Sequence, residues 1–156
     1  MNLPEPLAVL TGPLFDVLPL DVAMPELVPT RKAGQVAVDA VSKAVSDPLI
    51  RENPALAAAL WLYVDELDRS HTISQGISGP IGAAWHGIMH RREGDFWNSK
   101  YWFRQAGKIE VFSQMDPSGF VDRVEQTYRD NPSDLLAYQR REWASLFEWT
   151  AINGGI

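Results

Sequence analysis

Four X-Pro pairs punctuate the chain: Asn53-Pro54, Gly79-Pro80, Asp116-Pro117 and Asn131-Pro132. Proline in the first helical turn costs little, because the N–H it lacks has no intrahelical partner there and its fixed φ already suits a helix. An Asn or Asp just before it supplies a side-chain acceptor for the free amides that follow. Each pair therefore reads as a helix start. No stretch between them alternates apolar and polar residues as a half-buried strand would. The chain reads as all-α, a single-domain bundle of about six helices.

The first 32 residues read differently. Six prolines (Pro4, Pro6, Pro13, Pro19, Pro25, Pro29) precede residue 30 with no Lys or Arg among them. Prolines at that density break helices, so residues 1–32 are expected to form an extended arm and residues 33–156 the helical domain. The arm's Leu, Val and Phe15 need a surface, either its own domain or a second copy of the chain, which would make a homo-oligomer. From Ala33 to Asp47, Val38, Val41 and Val45 recur at helical spacing. The run ALAAALWLYV after Pro54 is apolar all round and predicts a buried central helix, extended toward His71 through Asp65, Glu66 and Asp68. A helix from Pro80 to Arg92 ends at Gly94, and Asp95 caps the next, FWNSKYWFRQA, which closes at Gly107. Residues 108–115 form a connector with room for one short strand. The last helix stops at Asn153-Gly154-Gly155, and Arg140, Arg141 and Glu142 on it read as a charged surface patch.

Composition narrows the function. The chain of 156 residues has no Cys, which excludes disulfides, thiolate nucleophiles and Cys-ligated metals. A net charge of −6 opposes binding to nucleic acid. The apolar run between Glu52 and Asp65 is too short to cross a bilayer. The N-terminus has no basic region before its apolar residues, so a soluble, cytoplasmic protein is the expectation.

All three histidines fall between His71 and His90, within twenty residues. On a helix from Pro80, His86, His90 and Glu93 share one face within about 60°, opposite a face of Ile81, Trp85 and Ile88. Two imidazoles and a carboxylate so stacked suit Zn, Mn or Fe when a neighbouring helix adds a ligand, here His71. The metal set is then His71, His86, His90 and Glu93. Without a metal, His71, His90 and Glu93 have the chemistry of general acids and bases. The alternative is a hydrogen-bonded His/Arg/Glu network that ties helices together. Gly82, Ala83 and Gly87 nearby allow a backbone or ligand to come close.

Around the histidines, Arg91, Arg92, Lys100, Arg104 and Lys108 form a basic island in an acidic chain. Arg92 and Lys100 could hold an anionic group of a small polar substrate, with Asn98 and Tyr101 orienting it and Trp97 as a wall. The more ordinary reading pairs Arg91 or Arg92 with Glu93, Asp95, Glu66 or Asp68 in interhelical salt bridges.

The run SHTISQGISG, followed by WHGIMHRREGDFWNSKYWFRQAG from Trp85 to Gly107, resembles the shared core of a family of uncharacterised proteins with the pattern W-H-x-I-x-H-R-R-E-x-D-x-x-N-x-K-Y-W-F. The resemblance does not extend to the N-terminal segment or the last two helices. It implies that His71, His86, His90, Arg91, Arg92, Glu93, Asp95, Asn98, Lys100 and Tyr101 belong to one unit, and it brings no activity. Two functions follow as expectations. One is a metal-dependent or acid–base enzyme for a small polar, anionic substrate; the other is a non-enzymatic helical interaction or ligand-binding module.

Overall fold

The computed structural model describes residues 1–154. Along them run nine α-helices and no strand: α1 (Glu5–Val17), α2 (Gln35–Ser46), α3 (Pro48–Arg51), α4 (Pro54–Tyr63), α5 (Leu67–Ser74), α6 (Pro80–Arg92), α7 (Phe96–Ala106), α8 (Pro117–Thr127) and α9 (Ser133–Asn153). Single 3-10 turns at Glu110–Phe112 and Tyr128–Asp130 lead into α8 and α9, so the connector at 108–115 holds no strand. The all-helical expectation holds, and Pro54, Pro80 and Pro117 each open a helix. The expected six becomes nine through α1, α3 and the separation of α5 from α4. Gly155 of the expected terminal stop lies outside the described residues.

The extended arm is corrected by α1. Pro6 lies in its first turn, where a missing N–H costs nothing. Pro13 lies inside it and leaves the carbonyl of Val9 without its helical donor, but Val9 is exposed, so water can reach that carbonyl. Leu7, Thr11 and Leu14, at i, i+4 and i+7, bury the opposite face. The segment that follows is irregular and is strapped to its own domain by other residues' side chains. Arg140 donates to the Ala23 carbonyl, Gln139 to those of Met24 and Glu26, and the Asn131 side chain accepts from the Leu27 amide.

The break between α4 and α5 sets the position of His71. The Asp65 amide donates to the Leu62 carbonyl and the Glu66 amide to that of Trp61, with Asp65 at φ 60°. That is a Schellman stop, which glycine usually provides. A non-glycine residue there costs on the order of 1 kcal/mol, and the ion pair Asp65 makes with Arg92 offsets it. α6 stops in the same way at Gly94, φ 84°, where the Gly94 and Asp95 amides donate to the Arg91 and His90 carbonyls.

α4 and α6 are the two buried helices. Every residue from Ala55 to Tyr63 and from Gly82 to Arg92 is buried. α9 closes over them: Trp143 donates its indole N–H to the Ala59 carbonyl at 3.0 Å, and Trp85 donates to the Thr150 hydroxyl at 3.2 Å. A smaller cluster of Leu27, Phe120, Val124 and Leu135 lies beside this core. No helix among the described residues is long and apolar enough to cross a membrane.

Candidate functional site

α5, α6 and α7 meet around the histidines. α6 packs more extensively on α7 than on any other helix, and small residues make the contact close. At Gly87 a Cβ would sit 3.2 Å from the Phe103 ring, and the Ser99 hydroxyl donates to the Gly87 carbonyl at 2.7 Å. At Gly82 a Cβ would collide with the Ile77 carbonyl at 2.2 Å, so the loop from α5 rests directly on the first turn of α6. Both expected close approaches are therefore made by protein: Gly82 by backbone, Gly87 by an aromatic ring.

These contacts bring His71 on α5 against His86 and His90 on α6. One ring nitrogen from each lies within 4.8 Å of the others. The rings of His86 and His90 are stacked at 4.6 Å and 17°, and His71 stands 5.0 and 5.1 Å from them. Trp102 covers the other side of His86, stacked at 4.1 Å and 23°. His86 and His90 are buried, and His71, half-buried, lies nearest solvent.

His86 differs from its two neighbours. Both its ring nitrogens are buried and neither has a protein hydrogen-bond partner. Burial, then the nearby His90 and His71, push its pKa down from 6.5 to about 4, so it is neutral at physiological pH with one lone pair free. Neutral imidazole is the ligand form. His90, by contrast, has its Nδ1 at 2.6 Å from Glu93 Oε1.

The carboxylates near His90 form a second grouping, His90 with Glu93 and Asp95. Asp95 is occupied elsewhere, since one of its oxygens accepts from the Asn98 amide and the other from the Asn98 side chain at 2.6 Å, capping α7. Asn98 is thus part of that cap. Asp68, also near the expected site, is exposed.

The arginines are bound into the fold. Arg91 and Glu142, both fully buried, form a two-pronged pair at 3.1 and 2.6 Å. Arg92 is fully buried, 2.5 Å from Asp65, and also donates to the Glu26 carbonyl. Its burial takes it out of reach of a substrate in solvent, which corrects the expectation that it would hold one. The expected partners were also different, and Glu142 is not part of a surface patch: with Leu135, Gln139, Leu146 and Thr150 it follows the buried stripe of α9. Lys100 is engaged by Asp122 at 2.8 Å and Glu125 at 3.5 Å. Trp97 is 70% exposed and stands parallel to the exposed Tyr101, with ring centroids 6.2 Å apart. Tyr101 in turn meets Trp102 edge-on, so only Trp102, of these aromatics, touches the histidines.

No family model, curated protein or solved structure matches this chain. What the site can do has to be read from its own chemistry. Three imidazoles from two helices, with one side near solvent, are donors that could hold a borderline divalent ion.

Proposed function

We propose that the protein is a metal-dependent enzyme acting on a small polar substrate, in which His71, His86 and His90 would hold one divalent ion, Zn, Mn or Fe, that would supply Lewis-acid chemistry and an activated water. The reading is carried by His86, which has no protein partner at either buried ring nitrogen, whereas Arg91 and Arg92, though they too keep unpartnered nitrogens, each meet a carboxylate. An unmet buried polar group costs about 1–3 kcal/mol, and a cation on one nitrogen would remove much of that. A tetrahedral ion with Zn–N near 2.1 Å brings its nitrogens to about 3.4 Å of each other. Because a lone pair lies in its ring plane and the His86 and His90 rings are nearly parallel, the rings would also have to turn about their side-chain bonds to converge on one ion. When bound, such an ion lowers the pKa of its water toward neutrality. His71, on the open side, would face the substrate's approach.

A non-enzymatic reading has one observation in its favour. The Arg half of the cluster is buried cross-linking, Arg91–Glu142 between α6 and α9 and Arg92–Asp65 between α6 and the turn after α4. The proposal therefore divides the segment: the arginines serve the fold and the histidines the chemistry.

Elemental analysis of protein purified without a His-tag tests this, beside a His86→Ala/His90→Ala variant. The expected result is near one equivalent of metal in the parent and none in the folded variant. No uptake after incubation with Zn, Mn and Fe(II) would leave the histidines to structure alone.

A further inference from the structure

We infer that Glu93 is not a metal ligand but a positioning carboxylate, which fixes the tautomer of His90 so that Nε2 is the atom presented to the ion. The inference rests on the metal reading above and assigns one ring atom and one carboxylate within it.

A nitrogen and an oxygen bound to the same tetrahedral ion at about 2.1 Å each stand roughly 3.4 Å apart. Glu93 Oε1 and His90 Nδ1 stand at 2.6 Å, the separation of a short charge-assisted hydrogen bond. Nδ1 therefore carries the hydrogen and donates it to the carboxylate. A neutral imidazole that donates through Nδ1 keeps its lone pair on Nε2. The Schellman stop at Gly94 holds the carboxylate there: Glu93 is the C-cap residue just after the helix, three positions beyond His90. A second ion between His90, Glu93 and Asp95 is disfavoured on the same grounds, because Asp95 Oδ2 lies 4.0 Å from Nδ1 and both Asp95 oxygens are held by Asn98.

A carboxylate behind a ligating histidine does two things. It stops the ring from turning, and its charge makes the distal nitrogen a better donor. Glu93 sits at the site's margin, its side chain about a third exposed, so its removal leaves no buried void.

The test uses Zn(II) alone, with affinity measured by chelator competition, on the parent, Glu93→Ala and Glu93→Gln. Side-chain 15N NMR of the metal-free and zinc-loaded proteins reads the His90 tautomer. The expected pattern is one equivalent of zinc in all three, affinity lowered about 10–100-fold in Glu93→Ala, and a smaller loss in Glu93→Gln, whose amide oxygen still accepts the hydrogen bond. In the parent, His90 should be protonated on Nδ1 before zinc is added, and that preference should disappear in Glu93→Ala at little change in melting temperature. Tight zinc binding that is equal in parent and Glu93→Ala would overturn the positioning role while leaving the three-histidine site intact. Two equivalents in the parent, with one lost outright in Glu93→Ala, would make Glu93 a ligand. A parent that takes up no zinc removes the metal reading and this inference with it.

Discussion

α6 carries two sets of buried polar groups, about a turn and a half apart, that are treated differently. Arg91 and Arg92 each meet a carboxylate from a distant part of the chain. His86, on the preceding turn of the same helix, meets aromatic rings and other histidines but no hydrogen-bonding partner from the protein. A fold that supplies a fully buried glutamate for Arg91 has the means to satisfy an imidazole. Nε of both arginines and Nη1 of Arg92 also lack a partner, yet each arginine has its charge paired, whereas neither nitrogen of His86 meets a polar group of the protein; that difference sets His86 apart.

The comparison predicts unequal responses to substitution. Glu142→Ala leaves the Arg91 charge buried and unpaired, and should cost about 3–5 kcal/mol of unfolding free energy in urea titration. The paired change Arg91→Met/Glu142→Leu should recover most of that loss, because it removes both charges together. A Glu142→Ala protein with parental stability would mean that the pair contributes nothing.

The next effect is on pH dependence in metal-free protein. Burial holds the folded-state pKa of His86 near 4, against 6.5 for an ordinary histidine. The unfolded chain then takes up a proton at this residue that the folded chain refuses. Stability at this site is thus full above pH 6.5 and declines as the pH falls toward 4. His86→Phe should flatten that part of the pH profile. A profile unchanged by the substitution would show that His86 does not refuse the proton.

The smallest effect is expected from His86→Phe at pH 7 without metal. The ring can still stack on Trp102, and no protein hydrogen bond is lost, so the change should stay within about 1 kcal/mol. A loss as large as that of Glu142→Ala would place His86 with the structural cluster and weaken the distinction drawn above.

The sequence was legible where one local signal sufficed. Pro80 and Gly94 marked both ends of α6, and helical spacing put His86, His90 and Glu93 on one face. The stop between α4 and α5 was hidden, because Asp65 takes the left-handed position that glycine would have advertised. α1 was hidden because Pro13 suggests a broken helix, and only burial on the far side shows that the break is tolerated. Partners across space were the hardest to read. Arg92 finds Asp65 at 27 residues' separation and Arg91 finds Glu142 at 51, distances at which local periodicity says nothing. Glu142 alone left a trace, its register with Gln139 and Leu146 on the buried stripe of α9.

Anomalous diffraction from crystals grown with Zn(II) tests the central claim most directly. The account predicts one strong peak enclosed by His71, His86 and His90, with ring nitrogens at about 2.0–2.1 Å. Crystals whose zinc peaks all lie elsewhere, with the three imidazoles still arranged as they are now, would contradict it.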